Sequence, residues 1–324
     1  MKINGTNITT IASGNNSFQI SLVENYRLAD CLRMQARDKQ SLCEKLDGSI
    51  FTKAIVINGK PLVLIINATN PQTLDCRIES QQATKNMGAK CSEAIGPKDT
   101  AAAINAILKM IGMSPDPQEF EDHVLRNIQN PLVEGLIRKR PGLRIPQTAT
   151  VFEGLTWAVI GQQINLSFAF QLRRSLVELT GRRMASGLIA HPSPAEVAAL
   201  DYGDLQRLKY SRRKAEYLID LARLIVAGDL PAEDLPQMTF PQVNTMLQSI
   251  RGIGEWSANY VAMRSCGFAD CVPLGDTGLT SGLQRLFGLN ERPDRTETAS
   301  LMEVFRPYRS FGTYHLWQEA GGGA

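Results

Sequence analysis

The four residues RGIG, 251–254, separate MLQSI from EWSANYVAMRSCG, and both flanks carry apolar residues at helical spacing. Two glycines in four residues let the chain reverse where a Cβ would resist. Ile253, between Gly252 and Gly254, is placed to plug the turn into a core. The spacing predicts a helical hairpin over about residues 245–265. The second helix of such a hairpin opens with unpaired backbone N–H groups, and these together with the helix dipole attract anions. A plain αα-corner needs the same glycines, so the turn takes its meaning from the residues C-terminal to it.

Beyond the hairpin lies VPLGDTG, residues 272–278, with Asp276 placed just before the helical segment LTSGLQRLF. Asp is a preferred helix N-cap, and a cap alone explains its position. A carboxylate aimed at a developing positive charge explains it too. Trp256 and Tyr260 stand four apart on the hairpin's second helix and share one face. That pair reads either as core packing or as the wall of a pocket in which a base, above all a cationic one, can stack. Trp317, on the last helix, is a third candidate for the wall.

The rest of the chain divides near residue 112. Before it, FQISLV, IFTKAIVING and PLVLIINA are rich in β-branched residues, and Asn58-Gly59 between the last two is a hairpin signal. ENYRLADCLRMQARDKQSLCEKL reads as helix. The expectation is an α+β domain over 1–112 with an antiparallel sheet, then a helical body over 113–324. Within that body VFEGLTWAVIGQQINLSFAFQLRRSLVELTG and RRKAEYLIDLARLIVAG end at the C-cap candidates Gly181 and Gly228, and Pro307 breaks the last segment. GGGA closes the chain as a flexible tail.

The 324 residues suffice for two or three domains. No apolar run is long enough for a membrane span, and MKINGTNITTIASGN lacks the apolar core of a secretory signal, so the chain is expected to be intracellular. A net charge of +3 permits nucleic-acid binding without arguing for it. Basic residues cluster at Arg138-Lys139-Arg140 with Arg144, at Arg173-Arg174, at Arg182-Arg183 and at Arg212-Arg213-Lys214. Any one cluster reads as a solvated face; several point toward a phosphate-facing surface. The six cysteines form no CxxC pair and the three histidines are scattered, so free thiols and no metal site are expected. Nor does any exposed apolar face suggest an oligomer.

Taken together, RGIGEWSANY and VPLGDTG resemble the helix-hairpin-helix DNA glycosylases that carry a Gly/Pro-rich loop and a catalytic Asp. KRPGLRIP, FEGLTWAVIGQQINLSFAFQL and FRPYRSFGTYHLW sharpen the resemblance toward bacterial-type 3-methyladenine DNA glycosylase II. It covers most of residues 100–320 and implies a mainly α fold preceded by a TBP-like antiparallel sheet domain. It implies that Asp276, in the loop 271–278, is catalytic. It gives pocket roles to Trp256, Tyr260, Trp317 and Gln162, and DNA-binding roles to Gly252, Gly254 and Gln163. Gln163 falls where the family's wedge into the DNA stack is bulky and apolar. Thr277 and Gln318 stand where some relatives have aromatics, and Gly275 where close relatives carry a second acid.

Trp256 occupies the place of the nucleophilic lysine of bifunctional relatives, which implies a monofunctional enzyme. The cluster-binding cysteines of some relatives are absent from 277–324, so no iron–sulfur cluster is implied. A structural monovalent cation at the hairpin is compatible with the resemblance when DNA is bound. The implied partner is duplex DNA with damaged bases, met as a monomer, in the cytoplasm or nucleoid of a bacterium or the nucleus of a eukaryote. The implied activity is excision of alkylated purines such as 3-methyladenine and 7-methylguanine in base excision repair. The alternatives are the same fold acting on oxidised or deaminated bases, and a non-catalytic damage-binding protein. Glu255 reads as a first-turn helix residue rather than an acid, and His315 as a structural histidine.

Overall fold

The computed structural model describes residues 2, 3, 6–10, 16–83, 90–92 and 94–321; of the GGGA tail, residues 322–324 lie outside them. The chain forms two compact units built from interleaved segments. One comprises Met1–Tyr26, Gln35–Leu108 and Thr156–Ala232; the other comprises Arg27–Met34, Lys109–Leu155 and Glu233–Ala324.

The strands all belong to the first unit. They are β1 (Lys2–Ile3), β2 (Thr6–Thr10), β3 (Ser17–Ser21), β4 (Glu44–Asp47), β5 (Ile50–Ile57), β6 (Lys60–Asn70), β7 (Thr73–Glu79), β8 (Gln81–Ala83) and β9 (Lys90–Ser92). Seven of them form an antiparallel sheet in the order β1-β2-β3-β7-β6-β5-β4, and β8 pairs with β9. The hairpin between β5 and β6 turns at Asn58 and Gly59 with φ of +51° and +76°, the paired positive values of a type I′ turn.

The helices are α1 (Leu28–Gln35), α2 (Pro97–Met110), α3 (Pro117–Asn127), α4 (Pro131–Arg138), α5 (Val151–Ile160), α6 (Leu166–Thr180), α7 (Pro194–Ala198), α8 (Tyr202–Arg207) and α9 (Arg212–Ala227). They continue with α10 (Phe240–Gln248), α11 (Glu255–Val261), α12 (Thr277–Phe287), α13 (Arg295–Met302) and α14 (Arg309–Glu319). The chain passes between the units within α2 and α5.

Two expectations need correction. The segment read as one helix from Glu24 to Leu46 is helical only over α1 and then becomes β4. Asp38 accepts the backbone N–H of Gln40, and Ser41 accepts those of Cys43 and Glu44, local bonds that compete with a helix. The long run to Gly181 is two helices, α5 and α6, broken at residues 161–165. Gly181 does end α6, but in an extended conformation with φ of −76°. Its glycine answers crowding instead, since a Cβ there would lie 2.4 Å from Ile189 and 2.5 Å from the Val177 carbonyl. Gly228 caps α9 in the left-handed region, as expected.

Part of the charge of the basic clusters is engaged within the fold. Arg173 is buried and grips Glu44 through both terminal nitrogens at 2.6 and 3.1 Å, while Lys53 reaches the same carboxylate at 3.0 Å. Arg174 pairs with Asp38, Arg182 with Glu196, and Lys139 and Arg140 both with Glu319. Arg144 is buried against the Gly112 carbonyl. Arg212 and Arg213 stand exposed at the start of α9.

Candidate active site

The site lies within the second unit. The hairpin is present: α10 and α11 flank a turn in which Gly252 has φ of +94° and Ile253 is buried. Gly254 is exposed at the start of α11, and a Cβ there would meet nothing within 4 Å. Crowding within the protein therefore does not demand glycine at this position.

From α11 the chain continues through a π-helical turn, Ala262–Cys266, and returns toward the base of α12. Three contacts fix this return. The Asp270 carboxylate accepts from the Arg309 guanidinium at 2.6 and 2.8 Å. The Cys271 N–H donates to the Ser310 hydroxyl at 2.9 Å. The Val272 N–H donates to the Asn259 side-chain oxygen at 3.1 Å. Next comes a tight turn, in which the Asp276 N–H donates to the Pro273 carbonyl at 3.0 Å and Gly275 takes φ of +90°. That geometry calls for glycine at the third turn position, which accounts for Gly275.

Asp276 emerges from this turn as the N-cap of α12, its Oδ1 accepting the Leu279 N–H at 2.9 Å. The cap leaves the carboxylate half-exposed with further lone pairs. Two indoles use them. Trp317 donates its Nε1–H to Oδ1 at 2.8 Å and Trp256 donates its own to Oδ2 at 3.2 Å. Trp256 stacks on Tyr260 with ring centroids 5.3 Å apart and planes 22° apart, and Tyr260 meets Trp317 at 6.2 Å. Three aromatic rings and one carboxylate therefore form a single connected group.

The close packing of α12 on α14 holds Trp317 there. At Gly282 a Cβ would lie 2.3 Å from the Leu316 carbonyl, so only glycine lets the two backbones approach this far. Tyr314, one turn earlier on α14, packs its ring edge-on to Trp317 at 6.1 Å. Tyr314, Asn259, Ser310 and Arg309 all support the site and were not picked out from the sequence. Asn259 carried a signal, because an Asn within a helix is poorly placed unless its side chain has a partner.

Gln162 and Gln163 lie in the first unit, on the loop between α5 and α6; Gln163 is exposed with φ of +55°. Glu255 opens α11 and pairs with Arg295. His315 is fully buried against Phe120, and burial, reinforced by the positive charges of Arg140 and Arg27, pushes its pKa down to about 3. It is a neutral core residue. Among the described residues the cysteines are free; burial pushes the Cys266 thiol up to about 12. No helix among the described residues is long and apolar enough to cross a membrane.

The family model for the HhH-GPD superfamily base excision DNA repair protein matches residues 156–307. A DNA-3-methyladenine glycosylase of Bacillus subtilis (strain 168) is 29% identical over 308 residues, which cover 94% of this chain and 97% of that protein. A second protein of the same strain, YfjP, bears the name DNA-3-methyladenine glycosylase provisionally; it is 33% identical over 60% of this chain and 68% of its own length. The solved structure of a 3-methyladenine DNA-glycosylase from Archaeoglobus fulgidus superposes with a TM-score of 0.76 at 19% identity, over 94% of this chain and 98% of that one.

Proposed function

Because the chain belongs to the HhH-GPD superfamily of base excision DNA repair proteins, we propose that it is a monofunctional DNA glycosylase excising alkylated purines. The observation that carries this reading is the Asp276 carboxylate, gripped by two indoles whose rings continue into Tyr260. The substrate is duplex DNA bearing 3-methyladenine or 7-methylguanine, met as a monomer inside the cell.

Alkylation at N3 or N7 leaves a purine positively charged. Such a base is drawn to the faces of aromatic rings and is attracted by the carboxylate beside them. When the N-glycosidic bond breaks, its electron pair goes to the base, which departs neutral, so no strong general acid is required. Positive charge develops on the sugar as an oxocarbenium ion. Asp276 stabilises that charge electrostatically. Water then adds to C1′ and loses its proton, with Asp276 placed to orient it. No lysine stands on α11 or in residues 272–280, so no Schiff base forms there and the product is an abasic site with an intact strand.

DNA engagement rests on two other features. The backbone at Gly252 and Gly254 carries no side chain, so a phosphate can approach it closely; such contacts position the duplex without reading sequence. Gln163 fills the space left in the stack when the damaged nucleotide turns out. Flipping costs a few kcal/mol and least for a weakened pair, which adds selectivity to that of the pocket. The test is incubation with methylated duplex DNA. Free methylpurine with strands that break only after alkali supports the proposal. Release of no base, or strand cleavage without alkali, contradicts it.

A further inference from the structure

Lys214 occupies an unfavourable place for an ordinary surface lysine. It lies in the first turn of α9, where the helix dipole opposes positive charge. It is partly buried, and that burial pushes its pKa down to about 8. Glu216, two residues along the same helix, is engaged by Arg212 at 2.9 Å. Instead the Lys214 ammonium donates to the Ile160 carbonyl oxygen at 2.6 Å.

Ile160 is the last residue of α5, and the final carbonyls of a helix have no partner within it. A cation at that end satisfies both the acceptor and the dipole. The backbone from which Lys214 reaches is itself fixed, since the Ser211 hydroxyl accepts the Lys214 N–H at 3.3 Å. The five residues 161–165 come directly after Ile160. At their far end Asn165 caps α6 by accepting the Phe168 N–H at 2.9 Å. Between these two closed ends stands Gln163, exposed and in a left-handed conformation that a residue with a Cβ adopts only when its surroundings impose it.

We infer that Lys214 is a positioning residue: it clamps the end of α5 and so presents Gln163 to the DNA stack. This rests on the glycosylase reading above. The clamp acts on the loop and touches neither the scissile bond nor the base. Its loss therefore matters where a stack must be held open and not where the lesion is already unstacked.

The experiment compares wild type, Lys214→Met, Lys214→Arg, Gln163→Ala and the double variant Lys214→Met/Gln163→Ala. Amide hydrogen exchange is followed over residues 161–165, and single-turnover 7-methylguanine release is measured from a duplex and from a mismatched bubble. Lys214→Met is expected to speed exchange in the loop and to slow release from duplex DNA on the order of tenfold, with little change on the bubble. Lys214→Arg restores much of both, because a guanidinium can also donate to the carbonyl. The double variant is no slower than Gln163→Ala alone. Unchanged loop exchange, an equal loss on the bubble, or multiplying losses in the double variant would overturn the inference. Should wild type release no base, the glycosylase reading fails, while the exchange comparison still decides the clamp.

Discussion

Trp317 donates its indole N–H to the Asp276 oxygen that also caps α12, so one carboxylate oxygen joins an indole of α14 to a helix start. A hydrogen bond to a charged group contributes about 1.5–3 kcal/mol. Trp317→Phe keeps an aromatic ring and removes the donor. Single-turnover base release is expected to fall roughly 10–100-fold, with binding of lesion DNA largely retained. Equal rates for the two proteins would show that the indole N–H does not serve the carboxylate in catalysis.

Gly278 tests the same relationship from the other side. A Cβ there would lie 3.0 Å from Trp317 Cδ1 and 3.1 Å from Asp276 Oδ1. Gly278 lies in the first turn of α12, where crowding of the capping Asp276 oxygen offsets the helix propensity that alanine adds, so Gly278→Ala should change thermal stability little. It should nevertheless slow base release, because the indole and the carboxylate must move apart. Calorimetry beside a rate measurement separates the two effects. A variant that loses stability and rate in parallel would point to general disruption.

In the first unit the buried Glu44 carboxylate depends on its two cations. Burial by itself would raise its pKa; the Arg173 and Lys53 charges overcome this and hold it well below the usual range. Arg173→Met leaves that carboxylate short of one cation and is expected to cost about 3–5 kcal/mol in urea unfolding. Adding Glu44→Gln to that variant should recover part of the loss. A cost below about 1 kcal/mol would class the pair with ordinary surface ion pairs.

His315 makes stability depend on pH in a definite direction. Its pKa is about 3 when folded against 6.5 for the free side chain. Above 6.5 the ring is neutral in both states. Between 6.5 and 3 the unfolded chain takes up a proton that the folded chain refuses, so stability falls as pH falls through that window. The loss is complete below both values. His315→Leu should flatten this part of the stability profile, as measured by denaturant unfolding between pH 7 and pH 4. An unchanged slope would remove His315 as its source.

The parts of the site that could be read from the sequence are those encoded locally. Trp256 and Tyr260 are one helical turn apart, and the Pro-Leu-Gly corner stands directly before Asp276. Trp317 was reachable only through the order of motifs, since its contact with Asp276 spans 41 positions. The clamps from Asn259, Ser310 and Arg309 were hidden for the same physical reason, because each acquires its meaning from a partner that only folding brings near. One basic cluster shows the same limit. Arg173 and Arg174 look like a surface patch until Glu44 and Asp38 are found beside them. Likewise the apolar spacing of residues 24–46 fits a helix, and only the side-chain turns at Asp38 and Ser41 and the pairing of β4 with β5 decide for a strand.

The central claim is that Asp276 drives bond cleavage rather than merely capping α12. Asparagine keeps the shape and the capping oxygen while removing the charge. The most direct measurement is therefore single-turnover release of 7-methylguanine from duplex DNA by wild type and Asp276→Asn, with lesion-DNA binding and thermal unfolding recorded for both. The account predicts loss of release on the order of a hundredfold or more with folding and binding retained. Equal release by the two proteins would contradict it and leave Asp276 as a helix cap alone.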